Sequence, residues 1–144
     1  MRQALTGRGS YVLLMELPGE RKIAVGKLGV ITFPESFYAY VGSAMGGFKP
    51  RIAHHLGGKS PHWHIDYLLR EAMVLEIVLC DTEERVECTI ARGMGGRFRS
   101  IPYFGSSDCR CGSHLYIEND KDRLREGIVE TVTQVSLAYR VISL

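Results

Sequence analysis

Two tyrosine tripeptides, a glycine loop and a basic stretch stand close together in the first third of the chain. Gly9-Ser10-Tyr11 opens an apolar run to Leu17, and Tyr40-Val41-Gly42 closes a second run from Phe37. A loop from Ser43 to Gly47 follows, then Lys49-Pro50-Arg51 and His54-His55. Two phenols, a guanidinium, an imidazole and a backbone-rich loop suit the holding and attack of a phosphate ester. Arg51 can fork onto two phosphate oxygens, whereas Lys49 offers a point charge. The turn after Gly42 and Ser43 leads into a helix start, where unpaired N–H groups favour an anion. His55 stands four residues after Arg51 and shares its helix face, which leaves His54 pointing elsewhere.

A second group of residues carries metal-binding chemistry: His62, His64 and Asp66, then Cys109, Cys111 and His114. His-x-His-x-Asp with Cys-x-Cys-x-x-His contains the donor types of a zinc site. Cys-x-Cys is tighter than the common zinc spacing, so zinc is not the expected cofactor. The expected role is support: Trp63 and Tyr67 pack the core, the histidines hydrogen-bond a loop, and Ser106-Ser107-Asp108 builds one wall of a cleft.

The elements that must position these residues read as a mixed chain. Residues 10–17 form a strand whose continuous apolar character implies burial on both faces. After the Pro18-Gly19-Glu20 turn, residues 23–25, 28–33 and 37–41 read as further strands of an antiparallel meander. A helix after Pro50 carries Arg51, Ile52, His55 and Leu56 and stops at Gly57-Gly58. Ser60-Pro61 favours a helix over 61–71, with Ile65, Leu68, Leu69 and Ala72 inward and His62 beside Asp66. A strand there would instead put His62, His64 and Asp66 on one face. Val74–Cys80 reads as a central strand, 82–91 as a helix, 93–105 as a loop and 114–118 as a strand. Apolar spacing at Leu124, Ile128, Val132 and Val135 predicts an amphipathic helix over 121–135, and 137–144 a last strand.

Tyr11, Tyr40-Val41-Gly42 and Arg51, with strings such as His62-Trp-His-Ile-Asp-Tyr-Leu-Leu69, Glu87-Cys88 and Phe104-Gly-Ser-Ser-Asp-Cys-Arg-Cys111, carry a family resemblance over roughly residues 8–118. The chain resembles the GIY-YIG endonuclease superfamily, and more closely an uncharacterised branch of mainly archaeal and bacterial proteins, some fused to endonuclease III-type glycosylases. The resemblance implies an α/β (α+β) fold, a small, mostly antiparallel sheet flanked by helices; residues 119–144 lie beyond it and are expected as a helical and strand extension packed on the same domain. It implies hydrolysis of DNA phosphodiesters, in a repair setting, with one magnesium or manganese ion. Tyr11 would be the base, Tyr40 and His55 positioners, Arg51 the phosphate clamp and Glu87 the metal ligand. Gly42, Ser43, Lys49, Arg51, Ser106 and Asp108 would contact the substrate. Two departures bear on this. Twenty-eight residues separate Tyr11 from Tyr40, which implies a hairpin inserted at 18–35, and no asparagine precedes Asn119, so Ser106, Ser107 or Asp108 would take that place.

Bulk properties set wider bounds. A chain of 144 residues is expected to form one domain with an adequate core. Its net charge of +2 neither demands nor excludes nucleic acid, although Arg85, Arg92, Arg97, Arg99 and Arg110 crowd around residues 93–96. No run approaches the roughly 18 apolar residues of a membrane span, and the N-terminus lacks an apolar signal core. Cysteines 80, 88, 109 and 111 do not make a secreted disulfide framework, so reduced thiols in the cytoplasm are expected. Two other functions fit the same residues: a nucleic-acid-binding or repair-accessory module that cuts nothing, and a zinc-stabilised interaction domain.

Overall fold

The computed structural model describes residues 5–57 and 60–144. In chain order the elements are β1 (Gly9–Leu17), β2 (Arg21–Ala24), β3 (Val30–Phe33), β4 (Ser36–Ala44), α1 (Phe48–Leu56), α2 (His64–Leu68), β5 (Met73–Asp81), α3 (Glu87–Gly95), β6 (Arg99–Ser100), β7 (Leu115–Glu118), α4 (Lys121–Gln134) and β8 (Tyr139–Ser143). Six of the strands form one antiparallel sheet in the order β6-β7-β4-β1-β5-β8. Among the described residues no helix is long and apolar enough to cross a membrane.

The apolar run of β1 is buried at every position except the partly exposed Glu16. Side chains alternate across a strand, so a run this uniform needs cover on both faces. The structure supplies two cores. Tyr11, Leu13, Met15 and Leu17 join Tyr38, Tyr40, Phe48, Ile52, Ile65 and Leu68 on the side of α1 and α2. Val12 and Leu14 join Val41, Val78, Ile90, Met94, Leu124 and Ile128 on the side of α3 and α4. The fold is therefore α+β, with helices on both faces of the sheet.

Several expected boundaries shift. The strands after β1 do not continue its sheet as a meander: β2 and β3 pair only with each other, and β1 pairs directly with β4. The insertion expected at 18–35 is this separate hairpin. β4 runs on to Ala44, so Gly42 and Ser43 belong to the strand. α1 begins at Phe48, with Pro50 in its first turn, where a missing N–H costs nothing. Of the Gly57-Gly58 stop, Gly57 follows the helix and Gly58 lies outside the described residues.

α2 does not start at Ser60-Pro61. The Asp66 side chain takes the N–H groups of His62 and Trp63, which holds those two residues in a cap and starts the helix at His64. Residues 82–86 are not helical either. Thr82 Oγ1 accepts the Glu84 N–H, a local turn that competes with helix, and α3 begins at Glu87. The stretch 93–105 contains the end of α3 and the short β6 rather than loop alone. The expected strands at 74–80, 114–118 and 137–144 and the helix at 121–135 are present within a residue or two.

Glu76, within β5, is buried and faces α4, where Arg125 Nε donates to it at 2.8 Å and a second guanidinium nitrogen closes the fork. That guanidinium holds the Glu76 carboxyl below its usual range. Arg125→Met leaves a buried carboxylate unpaired. It is expected to lower unfolding stability at neutral pH by about 1–2 kcal/mol, less than for a fully buried pair because Arg125 reaches solvent. A carboxylate with a depressed folded-state pKa stabilises above its unfolded value and loses that stabilisation on acidification. The gap between wild type and variant, read by urea unfolding, is therefore expected to close as pH falls well below 4.5.

Candidate functional site

The β1–β4 register sets the site. Tyr11 lies opposite Gly42 and Leu13 opposite Tyr40, which puts both tyrosines on the α1 face. Their ring centroids are 6.4 Å apart, and the His55 ring packs 5.7 Å from Tyr11 and 6.4 Å from Tyr40. Gly42 has a direct reason to lack a side chain. A Cβ there would stand inside the van der Waals envelope of Tyr11 Cζ and Oη.

Behind the tyrosines runs a continuous hydrogen-bond chain. Tyr11 Oη meets His55 Nε2 at 2.6 Å, and His55 Nδ1 meets Asp66 Oδ1 at 3.1 Å. A carboxylate only accepts, so His55 carries its proton on Nδ1 and its Nε2 lone pair receives the tyrosine proton. His54 Nε2 also donates to Asp66, at 2.9 Å, so His54 does not point elsewhere as expected. Burial opposes ionisation of Asp66, but donation from the Trp63 and His62 N–H groups and both histidines outweighs it and holds the carboxyl below its usual range. Burial pushes His55 below its ordinary value of 6.5, against the pull of Asp66. Burial raises both phenols above their ordinary value of 10, and Arg51 opposes the rise.

In front of this chain lies a cleft of about 500 Å³. Tyr40, Ser43, Arg51, Glu87 and Asp108 line it, with Arg85 and Trp63 at its sides. Arg51 donates to the Ser43 carbonyl at 2.6 Å and lays its guanidinium 4.0 Å over the Trp63 ring. Glu87 stands in the first turn of α3, where the helix dipole favours a carboxylate, and is close enough to both tyrosines to act on their ionisation. Tyr11 itself is 0% exposed while Tyr40 is 6% exposed, so Tyr40 is the phenol at the cleft and Tyr11 sits behind it.

Other sequence-predicted residues scatter. Lys49 is exposed on α1, and Ser106 is buried with its carbonyl taken by Cys109. The ring of His62 is exposed and packs edge-on against Trp63. His64 Nδ1 accepts the Gly105 N–H at 2.9 Å, the loop-supporting role expected of it. Among the arginines near residue 95, Arg85 lines the cleft, Arg110 lines a neighbouring pocket and Arg97 is tied to Gln134.

The six-residue zinc grouping does not assemble. His62, His64 and Asp66 have the partners just described, while Cys109, Cys111 and His114 meet Cys88 instead. One ligand atom from each of these four residues lies within 4.8 Å of all the others, a set that could hold a metal ion. Cys88 is the member that spacing alone did not supply, because it lies in α3 and reaches the others only through the tertiary fold. Asp66 as the partner of His55 was hidden for the same reason. His114 Nδ1 contacts Glu87 Oε2 at 2.7 Å.

The chain belongs to the family described as domain of unknown function DUF123, whose model matches residues 10–137. No curated protein and no solved structure matches it.

Gly42→Ala is expected to drive the Tyr11 ring off His55 and to cost about 1–3 kcal/mol in denaturant unfolding, as overpacking does. Gly46→Ala is the control: its Cβ meets nothing within 4 Å, and stability is expected to hold or rise slightly.

Proposed function

We propose that this chain, as a member of that family, is a divalent-metal-dependent endonuclease of the GIY-YIG type that hydrolyses DNA phosphodiesters, with repair as its setting. The observation that carries the reading is one cleft with Arg51 and Tyr40 at its surface, Glu87 opposite, and the Tyr11–His55–Asp66 chain directly behind.

Arg51 would leave the Ser43 carbonyl and fork onto a phosphate, the stronger charge-assisted partner. That movement would uncover Tyr11, which Arg51 now neighbours. Tyr40 would orient the phosphate or the attacking water. Tyr11, raised by burial, does not ionise by itself. It can instead pass its proton to His55 Nε2 as it takes one from water, so no standing phenolate forms. Asp66 would stabilise the imidazolium that results. His55 is thus the terminal base, and Tyr11 the link to it.

The donor set fits a hard cation. Glu87 presents Oε1 without a partner among the described residues, and Asp108 lines the same cleft. Magnesium or manganese would take Glu87 and waters as oxygen ligands. When bound, such an ion supplies charge for the developing phosphorane and a more acidic water. The full burial of Tyr11 supports a second reading, a phosphate-binding module that cuts nothing.

A panel of labelled duplex, branched and damaged DNAs, with and without magnesium or manganese, tests both. Cleavage is expected only with metal, and His55→Ala and Glu87→Gln should each lower it by about 10²-fold or more. Metal-free DNA affinity should hold or rise slightly in Glu87→Gln, because a carboxylate facing phosphates is neutralised. Cleavage requires neutral His55, and burial depresses its pKa, so kcat/KM should rise with pH to a plateau with a midpoint below 6.5. Binding without cleavage by wild type would replace the nuclease reading with the binding-only one.

A further inference from the structure

We infer that Cys88, Cys109, Cys111 and His114 form a closed, tetrahedral site for a thiolate-preferring divalent cation of the zinc class, and that this site fixes the acidic wall of the cleft. The assignment rests on the geometry of these four residues and stands whether or not the cleft cuts DNA.

The distances suit such an ion. Cys109 Sγ lies 3.5 Å and Cys88 Sγ 4.0 Å from His114 Nε2. Bond lengths of about 2.3 Å to sulfur and 2.0–2.1 Å to nitrogen give tetrahedral edges of roughly 3.6–3.8 Å. The donors come from two separate parts of the chain: Cys88 from the first turn of α3, the others from the segment between β6 and β7. No bridge joins these cysteines, and Cys109 and Cys111 are only two positions apart, which disfavours a mutual disulfide.

The thiols make poor neighbours without a cation. Three sulfurs at this separation ionise together only when a positive charge lies between them. Soft thiolates and an imidazole select zinc-class ions over magnesium, and four protein ligands leave no open position, the mark of a structural site.

His114 ties the site to the cleft. It is 1% exposed, turns Nε2 toward the sulfurs and Nδ1 toward Glu87. A carboxylate behind a ligating histidine is the usual second partner of a metal-bound imidazole. Each cleft acid also sits beside a ligand in sequence: Glu87 before Cys88, and Asp108 before Cys109. The segment from Ile101 to His114 turns through left-handed backbone at Tyr103, φ 65°, and Gly105, φ 72°. Main-chain bonds tie its two ends, Ile101 N–H to Leu115, Tyr103 N–H to Gly112 and His114 N–H to Phe104, while Cys109 N–H turns back on Ser106. A cation joining this segment to α3 would hold Asp108 and Glu87 at one spacing on that wall.

The test is metal binding by the whole chain, with cobalt(II) as the probe. Wild type, stripped of metal under reducing conditions, should take up one cobalt per chain. It should show intense visible bands of tetrahedral cobalt with thiolate-to-cobalt charge transfer. Stoichiometric zinc should bleach the spectrum, and a large excess of magnesium should not. Stripping should lower Tm by roughly 10 °C or more, restored by zinc, since structural zinc adds directly to folding free energy. Cys109→Ser should lose the charge-transfer bands in proportion to one thiolate. These readouts involve no DNA, so their failure would leave the nuclease reading standing, and a DNA panel without cleavage would leave the metal site standing. Pale octahedral cobalt, or bands that survive Cys109→Ser unchanged, would overturn the assignment. So would a Cys88–Cys109 or Cys88–Cys111 disulfide in protein purified without oxidant.

Discussion

The pairing of Tyr11 with Gly42 across β1 and β4 is the constraint on which the rest depends. β1, like β4 and β5 on either side of it, contributes to both cores, so its register cannot slip by one residue without moving each apolar side chain to the wrong face. That register aligns Tyr11 and Tyr40 under α1. Gly42 then leaves room for the Tyr11 ring to lie flat across the neighbouring strand, with its hydroxyl directed at His55. The glycine of the second tripeptide is thus a packing requirement of the tyrosine in the first.

Asp66 extends the same arrangement to the next element. Its carboxylate collects two histidine rings and two backbone N–H groups, and in doing so caps α2, docks α1 and fixes the tautomer of His55. One buried charge serves folding and the site together. Three donors meet its Oδ2 and one its Oδ1, the kind of pairing under which a buried carboxylate is tolerable. On the far side of the cleft, no comparable hydrogen-bond hub organises Glu87 and Asp108 among the described residues. Cys88, Cys109 and His114 line the cleft there instead.

The sequence was readable where a local pattern decides. The unbroken apolar run of β1 and the i, i+4 spacing of Leu124, Ile128 and Val132 in α4 declare themselves within short windows. It misled where a side chain from elsewhere took over a local role. Ser60-Pro61 looked like a helix start, yet Asp66 caps from inside the segment. Thr82 turns its own backbone and delays α3 to Glu87. The site divided the same way. Arg51, Tyr40 and Glu87 reach one cleft, but the partner of His55 lies 11 residues on in another helix, and Cys88 lies 21 residues before Cys109. Tyr11 was expected in a strand buried on both faces, and it is buried there; that its hydroxyl meets His55 behind Tyr40 is what no spacing reveals.

The central claim is that a nucleic-acid phosphate enters this cleft and engages the groups in front of the Tyr11–His55–Asp66 chain. The most direct measurement is nitrogen-15 NMR of the histidine and arginine side chains, taken while a short DNA oligonucleotide is added with calcium to hold it uncut. Free protein should show His55 as the Nδ1–H tautomer, with Nε2 shifted by the tyrosine bond. DNA should then move the Arg51 Nε and His55 Nε2 signals together and saturably, while His64, on its loop bond, stays in place. Saturable DNA binding that leaves Arg51 and His55 untouched would contradict the account, because the phosphate would then lie on some other surface.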